Sequence, residues 1–141
     1  MAYFPSGMER PQPDLDDRGF WENIAERRLT FQRCVDCDTH RHPPAPMCAR
    51  CGSSNVAWTA APSQGRVYTF TVVHHPVHPE VVSACPYVVA VIEFPALRGV
   101  RIVSNLDEDP QSLQIGDAVS LYWDETDAGP LPRFRKSPSY P

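Results

Sequence analysis

Hydrophobic positions in this chain change their period twice, and each change marks a boundary. Residues 1–15 show no period and are rich in proline and polar side chains, which predicts a disordered or draped arm, or a flexible linker. From Asp16 onward Phe20, Trp21, Ile24 and Arg28 recur at helical spacing, with Glu22, Glu26 and Arg27 on the other side. Asp16 or Asp17 is placed to cap a helix of about three turns. Leu29–Arg33 and Val56–Ala60 read as short strands on either side of a cysteine-rich stretch. After Pro62 the period becomes two. In GRVYTFTVVHH, Val67, Thr69, Thr71 and Val73 alternate with Tyr68, Phe70 and Val72. YVVAVIEF and VRIVSN, joined at Leu97-Arg98-Gly99, form a predicted β-hairpin. A turn-rich link, LDEDPQSLQIGD, leads to the strand AVSLYWDE, and LPRFR supplies a fifth. Five short strands with a non-hairpin link after the third predict a small barrel of the OB-fold kind.

The cysteine stretch reads CVDCDTHRHPPAPMCARC and holds four of the five cysteines, Cys34, Cys37, Cys48 and Cys51. Two Cys-x2-Cys pairs let four thiolates surround one Zn(II) tetrahedrally. Iron suits the same four sulfurs, as in a rubredoxin-like site. Two disulfides would need an oxidising compartment, and a redox pair would sit beside a βαβ pattern, which is absent. Four cysteine ligands leave no open position for a water, so the metal is expected to be structural. His40 and His42, between the pairs, are expected at the surface. Each knuckle turn favours a positive φ after its second cysteine, a position filled by Asp38 and Gly52. The fold class expected is therefore mainly β: an N-terminal helix and zinc ribbon over 16–61, a five-stranded OB-fold over 62–136, and a tail over 137–141.

Composition narrows the function. The 141 residues suit one domain or two very small ones, and no apolar run approaches the ~20 residues needed to span a bilayer. The first residues are neither basic nor apolar enough for a secretory signal, so a cytoplasmic protein is expected. Residues 27–58 carry five arginines against two aspartates, whereas residues 59–141 carry six basic against nine acidic side chains. A nucleic-acid-binding barrel presents aromatic and basic residues along one face, and an acidic barrel region weighs against that function. There is no Gly-rich phosphate loop, no G-x-S-x-G and no H-E-x-x-H. His74, His75 and His78 cluster past a strand end, but adjacent strand residues point to opposite faces, and Glu80 is the only carboxylate close in sequence. Cys85 is a lone thiol beside Pro86 and reads as structural. Phe20, Trp21 and Ile24 have two readings: part of the chain's own core, or an anchor for another subunit.

The order of motifs — a helix bearing FWE, then LTFQRCVDC, PPAPMCARCGSS, GRVYTFTVVHHP, PYVVAVIEF, GVRIVSNL, IGDAVSLYW and LPRF — resembles the DUF35 family over about residues 16–136. Asp38 departs from it, standing where Gly is more usual. The resemblance implies a rubredoxin-like zinc ribbon joined to an OB-fold, and a non-catalytic accessory subunit of a thiolase-like enzyme acting on acyl-CoA thioesters. Relatives include archaeal thiolase and HMG-CoA synthase assemblies, acyltransferases, and actinobacterial aldolases that cleave a steroid side-chain β-hydroxyacyl-CoA. The implied assembly is a hetero-oligomer, expected to be a heterotetramer, and in the aldolase group a MaoC-like hydratase domain is often fused to the DUF35 part. Under this reading Arg33, Arg41 and Arg50 are candidate contacts for a shared CoA thioester, Phe20, Trp21 and Ile24 form the partner interface, and no catalysis is expected of the chain alone.

Overall fold

The computed structural model describes residues 2–9 and 12–138. Helix α1 spans Arg18–Ala25. The strands are β1 Thr30–Cys34, β2 His40–Arg41, β3 Val56–Ala60, β4 Gln64–Val73, β5 Tyr87–Phe94, β6 Val100–Leu106, β7 Ala118–Thr126 and β8 Gly129–Lys136. The first three form a sheet in the order β2-β1-β3, and the other five close a barrel in the order β4-β5-β6-β8-β7. Every pairing is antiparallel except β6 with β8, which meet in parallel at Leu106 and Phe134. This is the five-stranded OB-fold arrangement.

The expected strands all form, with two local differences. A bulge between Val67 and Thr69 inserts one residue into β4. It resets the alternation, so Val67 points inward at 1% exposure and Phe70 packs against the core, while Tyr68 between them is exposed. Simple alternation places Tyr68 and Phe70 together, and the bulge separates them. Strand β2 has only two residues, too short for any period to announce it. Gly65 marks the corner where β4 passes from β7 to β5. A Cβ there would meet Ile92 Cγ2 at 2.7 Å.

Helix α1 is shorter than expected, at eight residues. Asp17 occupies the N-cap position, but its carboxylate does not cap; it accepts from the Trp21 indole at 3.2 Å and from the Asp14 N–H at 2.7 Å. A helix this short is marginal alone and is held by what it packs on. Phe20 and Ile24 enter the shared core, and Gly19 gives Trp58 room to lie on the helix backbone, where a Cβ would meet the indole at 2.7 Å. Phe31 of β1 contacts Phe94 of β5 at 5.3 Å between ring centroids, and Phe94 contacts Phe134 of β8 at 6.2 Å. This aromatic column makes the base of the ribbon continuous with the barrel core.

Residues 2–9 of the arm run beside the barrel. The Tyr3 N–H donates to Asp124 Oδ1 at 3.1 Å, and Phe4 meets Tyr87 edge-on at 5.0 Å. The end of the tail, residues 139–141, lies outside the described residues.

Candidate metal centre and neighbouring surfaces

Two copies of one backbone turn bring the cysteines together. In the first, the Asp38 N–H donates to the Cys34 carbonyl at 2.9 Å and the Cys34 N–H to the Thr39 carbonyl at 2.9 Å. In the second, Gly52 N–H reaches the Cys48 carbonyl and Cys48 N–H the Ser53 carbonyl, both at 2.8 Å. Asp38 and Gly52 have φ of 58° and 76°, the left-handed turn that the knuckle requires. Arg33 holds the Asp38 carboxylate at 2.5 Å, which steadies the non-glycine member. Cys34 ends β1 opposite Val56, the first residue of β3, so the first knuckle grows from a paired strand.

The four sulfurs lie within 4.8 Å of one another, with Cys34–Cys51 at 3.5 Å and Cys37–Cys48 at 3.6 Å. Bonds of about 2.3 Å to a tetrahedral zinc place sulfurs roughly 3.8 Å apart. A disulfide requires about 2.05 Å, so no pair is bridged. The donor set fits a metal. Thiolate formation is helped by local donors: the Thr39 hydroxyl, 3.1 Å away, and its backbone N–H bring Cys37 down to about 6. The N–H groups of Cys51 and Arg50 lower Cys48 in the same way. At Cys51 the Ser53 N–H favours the thiolate, but Cys34, burial, Cys37 and Cys48 outweigh it and hold the thiol at about 12. Four thiolates this close repel one another, and a divalent cation relieves that repulsion. With all four positions taken by sulfur, such a site orders the knuckles and has no place for an activated water.

Both histidines between the knuckles are half-buried, His42 more deeply than His40. His40 lies opposite Arg33 in the β1–β2 pair and contacts Thr59 Oγ1 at 3.3 Å. Burial, then Arg33 and Arg98, lower its pKa. His42 is wedged between Phe20 and Phe31, at 5.0 and 5.3 Å, and burial pushes it down to about 4. Among the described residues, only the four cysteines form a group placed to hold a metal, so His74, His75 and His78 do not assemble into a second site. His78 instead caps the short 3-10 turn Pro79–Ala84, accepting the Glu80 N–H. The Cys85 thiol is half-buried and faces the Val81 carbonyl.

The three arginines do not converge. Arg33 pairs with Asp38. Arg41 donates to Gln32 Oε1 at 2.8 Å and to the Ala45 carbonyl at 2.9 Å. Gln32 stands opposite Arg41 and Arg33 opposite His40, so the two arginines leave opposite faces of the β1–β2 pair. Arg50 is exposed on the second knuckle. Shared phosphate binding by all three is therefore not what the fold provides. Phe20 and Ile24 are also removed as anchors, since exposures of 6% and 0% place them inside the chain's own core. Trp21 alone of that set is half-buried, beside a shallow groove with Val103 and Leu131.

Two features escape a reading of the sequence. Arg133 and Asp124 form a buried ion pair at 3.2 Å between β8 and β7, and Asn105 accepts from Arg133 at 2.5 Å. The docking of Tyr3 and Phe4 is the other, and its only signal is two adjacent aromatics in an otherwise polar, proline-rich arm.

The family model described as ChsH2, rubredoxin-like zinc ribbon domain, matches residues 21–57, and that described as ChsH2, C-terminal OB-fold domain, matches residues 58–124. A probable enoyl-CoA hydratase alpha subunit of Thermomonospora curvata is 44% identical over 130 residues, 89% of this chain and 40% of that protein. The 3-oxo-4,17-pregnadiene-20-carboxyl-CoA hydratase alpha subunit of Mycobacterium tuberculosis is 32% identical over 82% of this chain and 36% of its own length. The chain thus spans well under half of these two relatives. A DUF35 domain-containing scaffold protein of Methanothermobacter thermautotrophicus is 31% identical, with 72% of this chain and 76% of that protein covered. Among solved structures, a chain of the Ltp2-ChsH2(DUF35) aldolase superposes with a TM-score of 0.81 at 42% identity, covering 90% of this chain and 98% of that one. A DUF35-family protein from Sulfolobus solfataricus superposes with a TM-score of 0.61 at 13% identity, a likeness of fold alone.

Proposed function

The chain belongs to the DUF35 family, in its ChsH2 form of a zinc ribbon joined to an OB-fold, and from that premise we propose that it is a non-catalytic accessory subunit of a thiolase-like enzyme acting on acyl-CoA thioesters. The reaction we assign to the assembly is the retro-aldol cleavage of a steroid side-chain β-hydroxyacyl-CoA. The observation that carries this reading is the likeness, at 42% identity and over nearly the whole of both chains, to a chain of an aldolase named for two components. The chemistry of the residues supports it. The cysteine site is coordinatively closed, His78 is engaged by Glu80, whose N–H it accepts and whose carboxylate lies 3.9 Å away, and the Cys85 thiol faces the Val81 carbonyl.

In this reading Cys34, Cys37, Cys48 and Cys51 hold Zn(II), which fixes the knuckles and takes no part in turnover. The partner supplies the base that takes the β-hydroxyl proton. As the Cα–Cβ bond breaks, its electron pair enters the thioester as an enolate, held by the partner's oxyanion-type donors. This chain shapes the entrance to that site. Trp21 is its proposed interface residue, and Arg50 its proposed contact to the thioester's phosphates. The test is affinity capture of the tagged chain from its native host, with mass spectrometry of what accompanies it. A thiolase-like protein in stoichiometric amount is the expected result. Capture of RNA, or turnover of an acyl-CoA by the chain alone, overturns the proposal.

A further inference from the structure

We propose that the barrel carries a recognition notch for a peptide bearing an adjacent aromatic pair, and that residues 2–9 fill it in cis as a displaceable strap. Three contacts define the notch, and each reads a different chemical feature. Asp124 Oδ1 accepts the Tyr3 backbone N–H at 3.1 Å, which fixes the main chain at the bend of residues 3–4. The Tyr3 hydroxyl enters the end of the β5–β6 ladder, accepting the Val88 N–H at 3.3 Å and donating to the Leu106 carbonyl at 3.2 Å. Val88 and Leu106 are cross-strand partners, so the phenol completes a pairing that the two strands leave open there. The Arg133 guanidinium lies 5.4 Å from the Tyr3 ring centroid and 5.2 Å from that of Phe4, a cation held under two aromatic rings.

The notch side is braced by hydrogen bonds and the strap side is not closely fitted. Arg133 is fixed from beneath by Asp124 and Asn105, and Asn105 is tied in turn to the Val88 carbonyl at 2.9 Å. Between residues 4–9 and the β7–β8 turn a cavity of about 210 Å³ remains, lined on the barrel side by Thr126, Leu131 and Arg133. The strap's Ser6 and Gly7 border it without filling it. A built floor under an underfilled segment is the arrangement of a peptide site occupied by a tethered ligand. The tether gives the strap an effective concentration on the order of millimolar, so a peptide in trans competes poorly until the strap's own aromatics are removed. This inference stands apart from the accessory-subunit reading, since it rests only on residues of this chain.

The test uses the full chain with Tyr3→Ala and Phe4→Ala together, and a fluorescein-labelled peptide, AYFPSGME. Thermal unfolding and metal content of the variant report that the barrel and ribbon are intact. The peptide is expected to bind the variant at least about tenfold more tightly than the wild-type chain, and a peptide with alanine at both aromatic positions is expected not to bind. Equal affinity for variant and wild type, or equal binding of the alanine peptide, overturns the proposal. Hydrogen exchange on the wild-type chain covers the case in which the variant does not fold. The Tyr3 amide should open at least about tenfold faster than the barrel amides of Val67 and Ile92. Exchange of Tyr3 only at their rate makes the segment an integral part of the fold and sinks the idea.

Discussion

In the outer half of the ribbon the apolar side chains Val35, Met47 and Val56 are exposed at 50%, 59% and 36%, and what is buried is sulfur, at Cys34 and Cys48. In the barrel the reverse holds, with Val67, Ile92, Leu106, Val119 and Phe134 sealed inside. One region is ordered by a metal-ready thiolate cluster and the other by apolar burial. They meet at Phe31, Phe94 and His42, where the ribbon's base shares the barrel's core. The two halves therefore respond to different insults, and the junction responds to both.

The sharpest way to separate them is to remove the metal. Structural zinc contributes on the order of 10 kcal/mol to folding in small ribbons and fingers. Chelation, or Cys48→Ser, should abolish amide protection across residues 34–55 while Val67 and Ile92 stay protected. Hydrogen exchange with and without chelator measures this, and simultaneous loss in the barrel would break the comparison. Next in size is the junction itself. Phe94→Ala should cost about 3–5 kcal/mol and loosen both regions together in denaturant unfolding. Asp124→Ala, which leaves the buried Arg133 without its carboxylate, should cost a similar ~3–5 kcal/mol but act on the barrel and the segment seated on it, leaving the ribbon intact.

A pH titration probes the junction more gently. His42 is held neutral by burial down to about 4, against an ordinary value of 6.5. The unfolded chain therefore binds a proton that the folded chain refuses between pH 6.5 and 4. Stability from this group is complete above pH 6.5 and falls as pH drops toward 4, by up to ~3 kcal/mol. His42→Phe should flatten that slope in urea midpoints measured across the window. The smallest effect expected is at the second knuckle. Gly52 has φ of 76°, and a Cβ added there meets nothing among the described residues within 4 Å. Gly52→Ala therefore costs only backbone strain, about 1–2 kcal/mol, read as a lower melting temperature of the metal-loaded chain.

Much of this was legible from residue order. The cysteine spacing announced the metal site, and the need for a positive φ marked Asp38 and Gly52 as equivalent positions. Alternation located the barrel strands, because a half-buried strand must alternate. It failed at Tyr68, where a bulge shifts parity without changing composition. It was silent on β2, because two residues carry no period. The Arg133–Asp124 pair crosses the β7–β8 hairpin but takes Asn105 from β6, the seat of Tyr3 joins β5, β6 and β7, and the wedge at His42 needs α1 folded onto β1, so no local pattern encodes these contacts. Phe20 and Ile24 had the right spacing for a buried stripe, but spacing does not say whose core receives it; the fold assigns them to this chain.

The accessory role is tested most directly by reconstitution. The purified chain would be titrated into the thiolase-like protein proposed as its partner, with cleavage of a steroid side-chain β-hydroxyacyl-CoA followed as release of the shortened ketone. The account predicts no turnover by the chain alone, little by the partner alone, and a rate that rises with added chain and saturates at a fixed stoichiometry. Full activity of the partner without it, or turnover by the chain on its own, would contradict the account.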